Sequence, residues 1–442
     1  MDRHVLAALG FCLVLAVAYP LLVGSGHYSG DQLATFYVLV GVALACHLAD
    51  WWDGAAGEAG SARPAPRTRL LQWPPSRPGE RAAGPFPFTP TDVMRGVVLF
   101  LTLTFLLLGL TELIGGLAGQ AGSTSGGSRL SPSDQVAGGG LLTAAGVGSL
   151  LLQLGGSDRV PGFRRLRPDR PISWFAVLVV LLSFAQLLSP TSGTESVAST
   201  IANPTTATDL VLGSLPFGVI AVLAIGPLVA RSPREAAQRL GLIPIRPLWW
   251  LIGIAVGVLL VPAVDSLFTP LQDHLLPQDC VIQQGQVQQS LAGGDSGRGG
   301  GANLAIALAA GIDEELLFRG VVLPRFGLLI SSLLFGAFHL QYTCHGLPAV
   351  GDLEIVVLGL AFGLLRVAGG LPAAILAHAA YDASILLNAV LPSPSPALVL
   401  IALALVTGAV VGARRRGWMS PATGVSRGTG EVPAAVPRET EP

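Results

Sequence analysis

Three carboxylates and a guanidinium fall inside one apolar stretch, Asp313-Glu314-Glu315-Leu316-Leu317-Phe318-Arg319. At a bilayer centre each such group costs on the order of 3 kcal/mol on insertion scales, so an intramembrane cluster of this kind marks a functional site by default. Glu315 and Arg319 stand four apart with the acid N-terminal, the favoured order for a helical ion pair, and burial makes such pairing close to obligatory; Arg319 therefore reads as structural. Glu314 points about 100° away around the helix, free of that partner, with Gly311 one turn earlier to admit a substrate or water. Asp313 reads as a helix-interior polar residue or a helper. Two further helices bring His339, in Phe335-Gly336-Ala337-Phe338-His339, and His378 with Asp382, in His378-Ala379-Ala380-Tyr381-Asp382. His378 and Asp382 are again four apart, so that one can orient the other or both can face a common oxygen atom. A lone intramembrane histidine is ordinarily a hydrogen-bonded packing residue; the constellation is what points to chemistry.

The elements that must position these groups follow from composition. The chain has 442 residues, of which 51% are hydrophobic and 12% charged. Soluble chains carry about a quarter charged residues, so an all-α, polytopic membrane helix bundle is expected. Spans of roughly 20 apolar residues cross the hydrocarbon core. Twelve candidates are 5–23, 32–49, 95–117, 136–155, 172–189, 209–230, 248–268, 302–325, 327–341, 353–367, 371–390 and 397–413. All basic residues are arginine, and they gather in loops 50–94, 156–171 and 231–247 and in Arg414-Arg415-Arg416. Cytoplasmic loops hold the basic excess, so both termini are expected in the cytoplasm. A rise of about 1.5 Å per residue places Glu314, His339 and Asp382 roughly 16, 18 and 16 Å above the inner face and His378 roughly 10 Å above it. Unrelated structural polar residues would have no reason to agree in depth.

The expected organisation is two transmembrane helices in 1–49, a Pro/Gly/Arg-rich cytoplasmic linker over 50–94, two further helices and a basic loop over 95–171, an intramembrane core over 172–413 and a disordered tail over 414–442. The run from Val5 to Val23 is kept as a membrane helix, because it continues past the cleavage-like Ala16-Val17-Ala18 to spanning length. Segments 119–135, 190–207 and 269–301 read as polar outer loops, and Arg231 to Leu242 as a short amphipathic helix on the inner surface. His4, His47, Glu112 and Asp265 fall near span ends, where water can satisfy them, and Trp51, Trp52, Trp174, Trp249 and Trp250 suit interfacial anchors. The glycines around Gly138 to Gly148 suit close helix packing. Cys12, Cys46, Cys280 and Cys344 form no C-x-x-C pair or zinc-ribbon spacing; Cys280 and Cys344 fall in loops of the same outer face, where a disulfide is permitted.

At these motifs the sequence resembles the CPBP family of intramembrane proteases, the CAAX-protease and bacteriocin-processing family, which includes the endoproteases of prenylated proteins. The family motifs E-E-x-x-x-R, F-x-x-x-H and H-x-x-x-N/D are matched by Glu314 to Arg319, Phe335 to His339 and His378 to Asp382, in order. The resemblance covers roughly Ile172 to Gly412, an eight-helix core, and leaves the first four helices unexplained. It implies that Glu314 activates water with help from His339, that His378 and the residue at Asp382 stabilise the oxyanion, and that Glu315 and Arg319 hold the first helix in place. Asp stands here where Asn is commoner, and an ionised Asp cannot donate to an oxyanion; either it is protonated or it only orients His378.

The resemblance also brings the label metalloendopeptidase. Glu314, His339 and His378 could form a zinc site with an open position for water. H-E-x-x-H is absent, and a glutamate base acting directly on water requires no cofactor, which is the favoured reading. The expected partners are membrane lipid and a membrane-anchored or transmembrane peptide or protein substrate, with no nucleic acid, in a bacterial plasma membrane. Two other classes stay open: a multi-span transporter with a Glu314/Arg319/histidine relay, for which no internal repeat is visible, and a non-catalytic peptide-binding or immunity protein of the same fold.

Overall fold

The computed structural model describes residues 30–58, 89–119, 122–123, 129–156, 163, 166, 170–187, 206–227, 231–291, 299–339 and 350–387. The expected spans 5–23 and 397–413, most of the linker, the tail 414–442, Cys12 and Cys344 lie outside them. Among the described residues the chain is helical, apart from a two-residue antiparallel pair, β1 (Gly122–Ser123) with β2 (Arg129–Leu130), and an isolated bridge between Pro227 and Arg231.

The helices are α1 (Gly30–Glu58), α2 (Pro90–Leu117), α3 (Pro132–Leu151) with a π-helical end at Leu152–Gly156, α4 (Pro171–Leu187), α5 (Ala207–Ala224), α6 (Pro233–Leu240) and α7 (Pro247–Leu275). They continue as α8 (Gln278–Leu291), α9 (Gly300–Glu315), a π-helical segment Leu316–Val322, α10 (Leu323–Phe326), α11 (Leu328–Ala337), α12 (Val350–Gly369) and α13 (Leu371–Leu386). Three of them, α2, α3 with its extension to Leu154, and α7, are long and apolar enough to cross a membrane by length and composition. On α2 the residues Phe100, Leu107, Leu108, Ile114 and Leu117 are exposed, as a lipid-facing stripe requires. The protein is a helical membrane protein.

The helix starts are written in the sequence. Thr89-Pro90, Ser131-Pro132 and Ser232-Pro233 each place a hydroxyl cap before a proline in the first turn. At α6 the cap is reciprocal: Ser232 accepts from the Glu235 amide while its own N–H and Oγ–H donate to Glu235, which holds that carboxyl below its ordinary range. Stops are set by Gly241, at φ +88°, and Gly370, at φ +99°, a region open to glycine at little cost.

Several expectations change. The segment 269–301, read as an outer loop, instead extends α7 to Leu275 and forms α8, because Pro262 and Pro270 are accommodated inside one continuous helix. Cys280 lies on α8 and is disulfide-bonded, whereas Cys46 is free and buried; Cys344, the partner considered for Cys280, lies outside the described residues. His47 is 3% exposed instead of wet, since α1 runs on to Glu58 and the imidazole Nε2 donates, at 3.0 Å, to the C-terminal carbonyl of Ala224 on α5. Glu112 accepts from Gln135 Nε2 at 2.8 Å, and Asp265 sits inside α7, exposed but away from its end. Trp174 is buried beneath the Arg95 guanidinium and anchors nothing at an interface. The glycines of α3 do permit close packing: a Cβ on Gly146 would come within 2.8 Å of Leu106 on α2.

Two cores place the polar groups. Leu260, Val264 and Phe268 of α7 pack with Leu358, Phe362 and Leu365 of α12 and with Ala374, Ala377 and Tyr381 of α13. A second cluster joins Val177 and Val180 of α4 to Phe318 and Val322 of the π segment, Phe326 of α10 and Leu334 and Phe335 of α11. The fourth described helix thus backs the segment that follows Glu315. Helices α7 and α13 approach closely, since a Cβ on Gly253 would lie 2.6 Å from the Ala373 carbonyl oxygen.

Candidate active site

Glu314 and Glu315 are the last residues of α9, and the helix then widens into the π segment that carries Arg319. Arg319 and Glu315 are both fully buried, with Nη1 2.6 Å from Oε1. Arg319 Nη2 donates to the Gly359 carbonyl of α12 at 3.1 Å. Its Cζ lies 4.1 Å from the Phe335 ring centroid and 5.5 Å from that of Phe362. The guanidinium is therefore held by a carboxylate, a carbonyl and two ring faces, which is how a cation can persist without water.

From α13, His378 Nδ1 reaches Glu315 Oε1 at 3.1 Å, and its ring stacks on Phe362 with centroids 4.9 Å apart and planes 17° from parallel. Glu315 thus joins Arg319 to His378. Because a carboxylate only accepts, His378 carries its proton on Nδ1 and turns Nε2 to the opposite side. There Nε2 lies 3.5 Å from Asp382 Oδ2 and 4.0 Å from Glu314 Oε2. His339 sits just past the end of α11, which stops at Ala337. Its Nδ1 donates to the Phe335 carbonyl at 2.7 Å, so its Nε2 faces Glu314 Oε2, 3.8 Å away, as a lone pair. Four side chains from three helical elements meet at one point. Glu314 Oε2 lies among them buried and without a hydrogen-bond partner among the described residues, although the Glu314 and His339 side chains keep 16% and 17% exposure.

The segment 301–384 matches the family model described as Type II CAAX prenyl endopeptidase Rce1-like. This segment is of the CPBP/CAAX protease family. The matched segment runs from α9 into α13 and contains Glu314, Glu315, Arg319, His339, His378 and Asp382, within the wider 172–412 of the sequence resemblance. Neither a curated protein nor a solved structure matches the chain.

Within this CAAX-protease segment, no group of three or more His, Cys, Asp or Glu among the described residues is disposed to hold a metal ion. The His378 and His339 Nδ1 atoms are occupied by Glu315 and Phe335, and their Nε2 atoms face carboxylates at 3.5–4.0 Å. Nδ1 bonds of this kind also orient a metal-ligating histidine, so they do not decide the zinc set Glu314, His339 and His378, and no step is routed through it.

Gly311 does not admit substrate. A Cβ there would lie 2.9 Å from the Ala379 backbone nitrogen, so its bareness serves the contact between α9 and α13. Gly311→Leu is expected to push α13 away and lower cleavage at least tenfold, by analogy with the steep distance dependence of positioned groups; cleavage of one peptide at matched monodisperse protein measures it, and wild-type rates would contradict the contact.

Asp313 faces away from the histidines. Ser214 Oγ on α5 donates to its Oδ2 at 2.9 Å, and its carboxylate lies against Gly218, where any side chain would collide with it. Gly218, Gly359 and Phe362 escape a sequence search for polar groups, because two supply only empty space or backbone and one an apolar ring, while Ser214 is a single serine whose spacing points to no partner. For Phe335 the signal existed, as the first residue of Phe335 to His339, but its contact with Arg319 was not readable from spacing.

Proposed function

We propose that the chain is an intramembrane endopeptidase that hydrolyses a peptide bond of a membrane-associated protein or peptide, with Glu314 as the base. The observation that carries this reading is Glu314 Oε2, buried without a hydrogen-bond partner among the described residues and facing the Nε2 atoms of His339 and His378. Gaps of 3.8 and 4.0 Å are too long for direct hydrogen bonds, and each is of a width that one water oxygen bridges.

In this mechanism Glu314 takes one proton from the water while the His339 Nε2 lone pair holds the other, and the oxygen adds to the scissile carbonyl carbon. The carbonyl oxygen becomes an oxyanion facing His378. In its imidazolium form His378 donates Nε2–H to that oxygen, while Glu315 keeps the Nδ1 proton and Asp382 orients the ring. The C–N bond then breaks, and the proton on Glu314 passes to the leaving amine. Glu315 and Arg319 support the site without touching substrate.

Around the site we infer twelve spans, both termini in the cytoplasm, a protease core over 172–413 and substrate entry from the cytoplasmic leaflet of a bacterial plasma membrane. The arginine-rich loops 50–94, 156–171 and 231–247 support that orientation.

The test is cleavage of a panel of membrane-anchored fluorogenic peptides by the purified full chain, for wild type and His339→Ala, with and without chelator. Wild-type cleavage that chelator leaves unchanged, reduced on the order of 100-fold in His339→Ala, is expected. Chelator-abolished cleavage would restore a metal site. Peptide binding without cleavage across the whole panel would favour the binding-protein reading.

A further inference from the structure

The arginines at the end of the bundle opposite α8 form a second polar assembly. Arg170 precedes α4, Arg231 and Arg239 flank and end α6, Arg325 lies on α10, and Arg366 is on the last turn of α12. Arg325 feels the positive charges of Arg239, Arg231 and Arg170; Arg239 feels Arg231, and Arg366 feels Arg239. Among the described residues the one carboxylate bearing on this group is Glu235, beside Arg231, and it is already engaged by the Ser232 N–H and Oγ–H. Arg231 Nη1 donates to the Ile225 carbonyl. Arg366 is 6% exposed and donates Nη2 to the Leu240 carbonyl at 3.3 Å, flush against Gly241, but its buried Nε has no hydrogen-bond partner among the described residues.

Five guanidinium groups drawn together from distant parts of the chain, four half-buried and that of Arg366 buried, with one occupied carboxylate among the described residues, repel one another unless an anion joins them. The planar fork of arginine matches a phosphate with two free oxygens. The surroundings choose the source. Helix α6 turns Ala236 and Leu240 into the protein, leaving Arg234, Glu235 and Gln238 outward. Beside it Leu242, Leu248, Trp250 and Leu251 are exposed apolar side chains. A patch where exposed leucines and a tryptophan meet half-buried arginines is the boundary between acyl chains and headgroups.

We propose that Arg170, Arg231, Arg239 and Arg325, with Arg366 behind them, seat the phosphate of an anionic phospholipid headgroup. The seat does not depend on proteolysis. It is also joined to the candidate site, because Leu240 packs with Leu316 and Val321 of the π segment and Leu371 of α13.

The experiment is native mass spectrometry of the delipidated full chain in detergent with added phosphatidylglycerol or phosphatidylcholine, repeated with inorganic phosphate in excess. Wild type is expected to retain phosphatidylglycerol on the order of tenfold over phosphatidylcholine, and inorganic phosphate should not displace it. Arg239→Gln with Arg325→Gln should lower that retention on the order of tenfold, and Arg239→Lys with Arg325→Lys should restore most of it. Equal retention of the two lipids by wild type, undiminished retention by the glutamine pair, or displacement by inorganic phosphate would each overturn the proposal. Should the glutamine pair fail to elute as a monodisperse species, the wild-type lipid preference and the lysine pair decide.

Discussion

Glu314→Gln is expected to lower peptide-bond cleavage by a factor on the order of 10³ while leaving the elution profile and thermal transition of the purified protein unchanged. General base catalysis supplies about 10²–10⁴-fold, and an amide keeps the shape of the carboxylate while losing the ability to take a proton. Stability should be spared because Oε2 makes no hydrogen bond among the described residues. Oε2 faces the His339 and His378 Nε2 atoms across gaps of 3.8 and 4.0 Å, so its replacement breaks no short contact there. A transporter using the same residues as a relay would show no cleavage to lose, and a binding protein would keep its ligand. Cleavage persisting near the wild-type rate in Glu314→Gln would remove this residue as the base.

The largest effect on stability is expected at Arg319. Arg319→Ala should destabilise the protein by about 3–5 kcal/mol, the cost of leaving a buried charge without its partner, seen as a marked fall in the thermal transition in detergent. The stranded group is Glu315, fully buried with Oε1 shared between Arg319 and His378. Two ring faces, Phe335 and Phe362, lose their cation as well. Replacing both partners separates stability from activity. Glu315→Leu with Arg319→Met should recover much of the thermal transition, since apolar isosteres of a buried pair are often neutral or better. It should not recover cleavage, because His378 then loses the carboxylate that holds its Nδ1 proton. Full activity in the double variant would show that Glu315 has no part in orienting the histidine.

What could be read from the chain alone divides along physical lines. Membrane character and helix class are carried by long apolar runs, and the starts of α2, α3 and α6 by hydroxyl-proline pairs, which are local signals. The approach of Glu314, His339 and Asp382 was legible because the bilayer makes depth a usable coordinate, and residues at one depth on neighbouring helices have few places to go; His378 came with Asp382 through their four-residue spacing. Burial of His47 and Trp174 was not legible, since nothing local says which helix lies opposite. The role of Gly311 was misjudged for the same reason: a missing side chain admits a neighbouring backbone as readily as a substrate. Helix α8 was hidden by polar composition, because glutamine and glycine in Gln278–Leu291 read as loop when no apolar run marks the element.

The π segment Leu316–Val322 carries one more consequence. Wider turns of this kind occur in short stretches inside α-helices, often at functional sites, and they amount to one residue more than a regular helix would use over the same rise. The hundred-degree step used to separate Glu314 from Glu315 holds up to the end of α9, but beyond it the phase of the helix is reset. Deleting a single residue between Leu316 and Phe318 would let the backbone return to regular spacing, yet it would bring Arg319 one position closer to Glu315, a change of about 100° around the helix. Such a shortened chain would be locally more comfortable, with its ion pair out of register. The segment should therefore tolerate no change in length, and side-chain exchange most readily at Leu317, since the other six residues are buried.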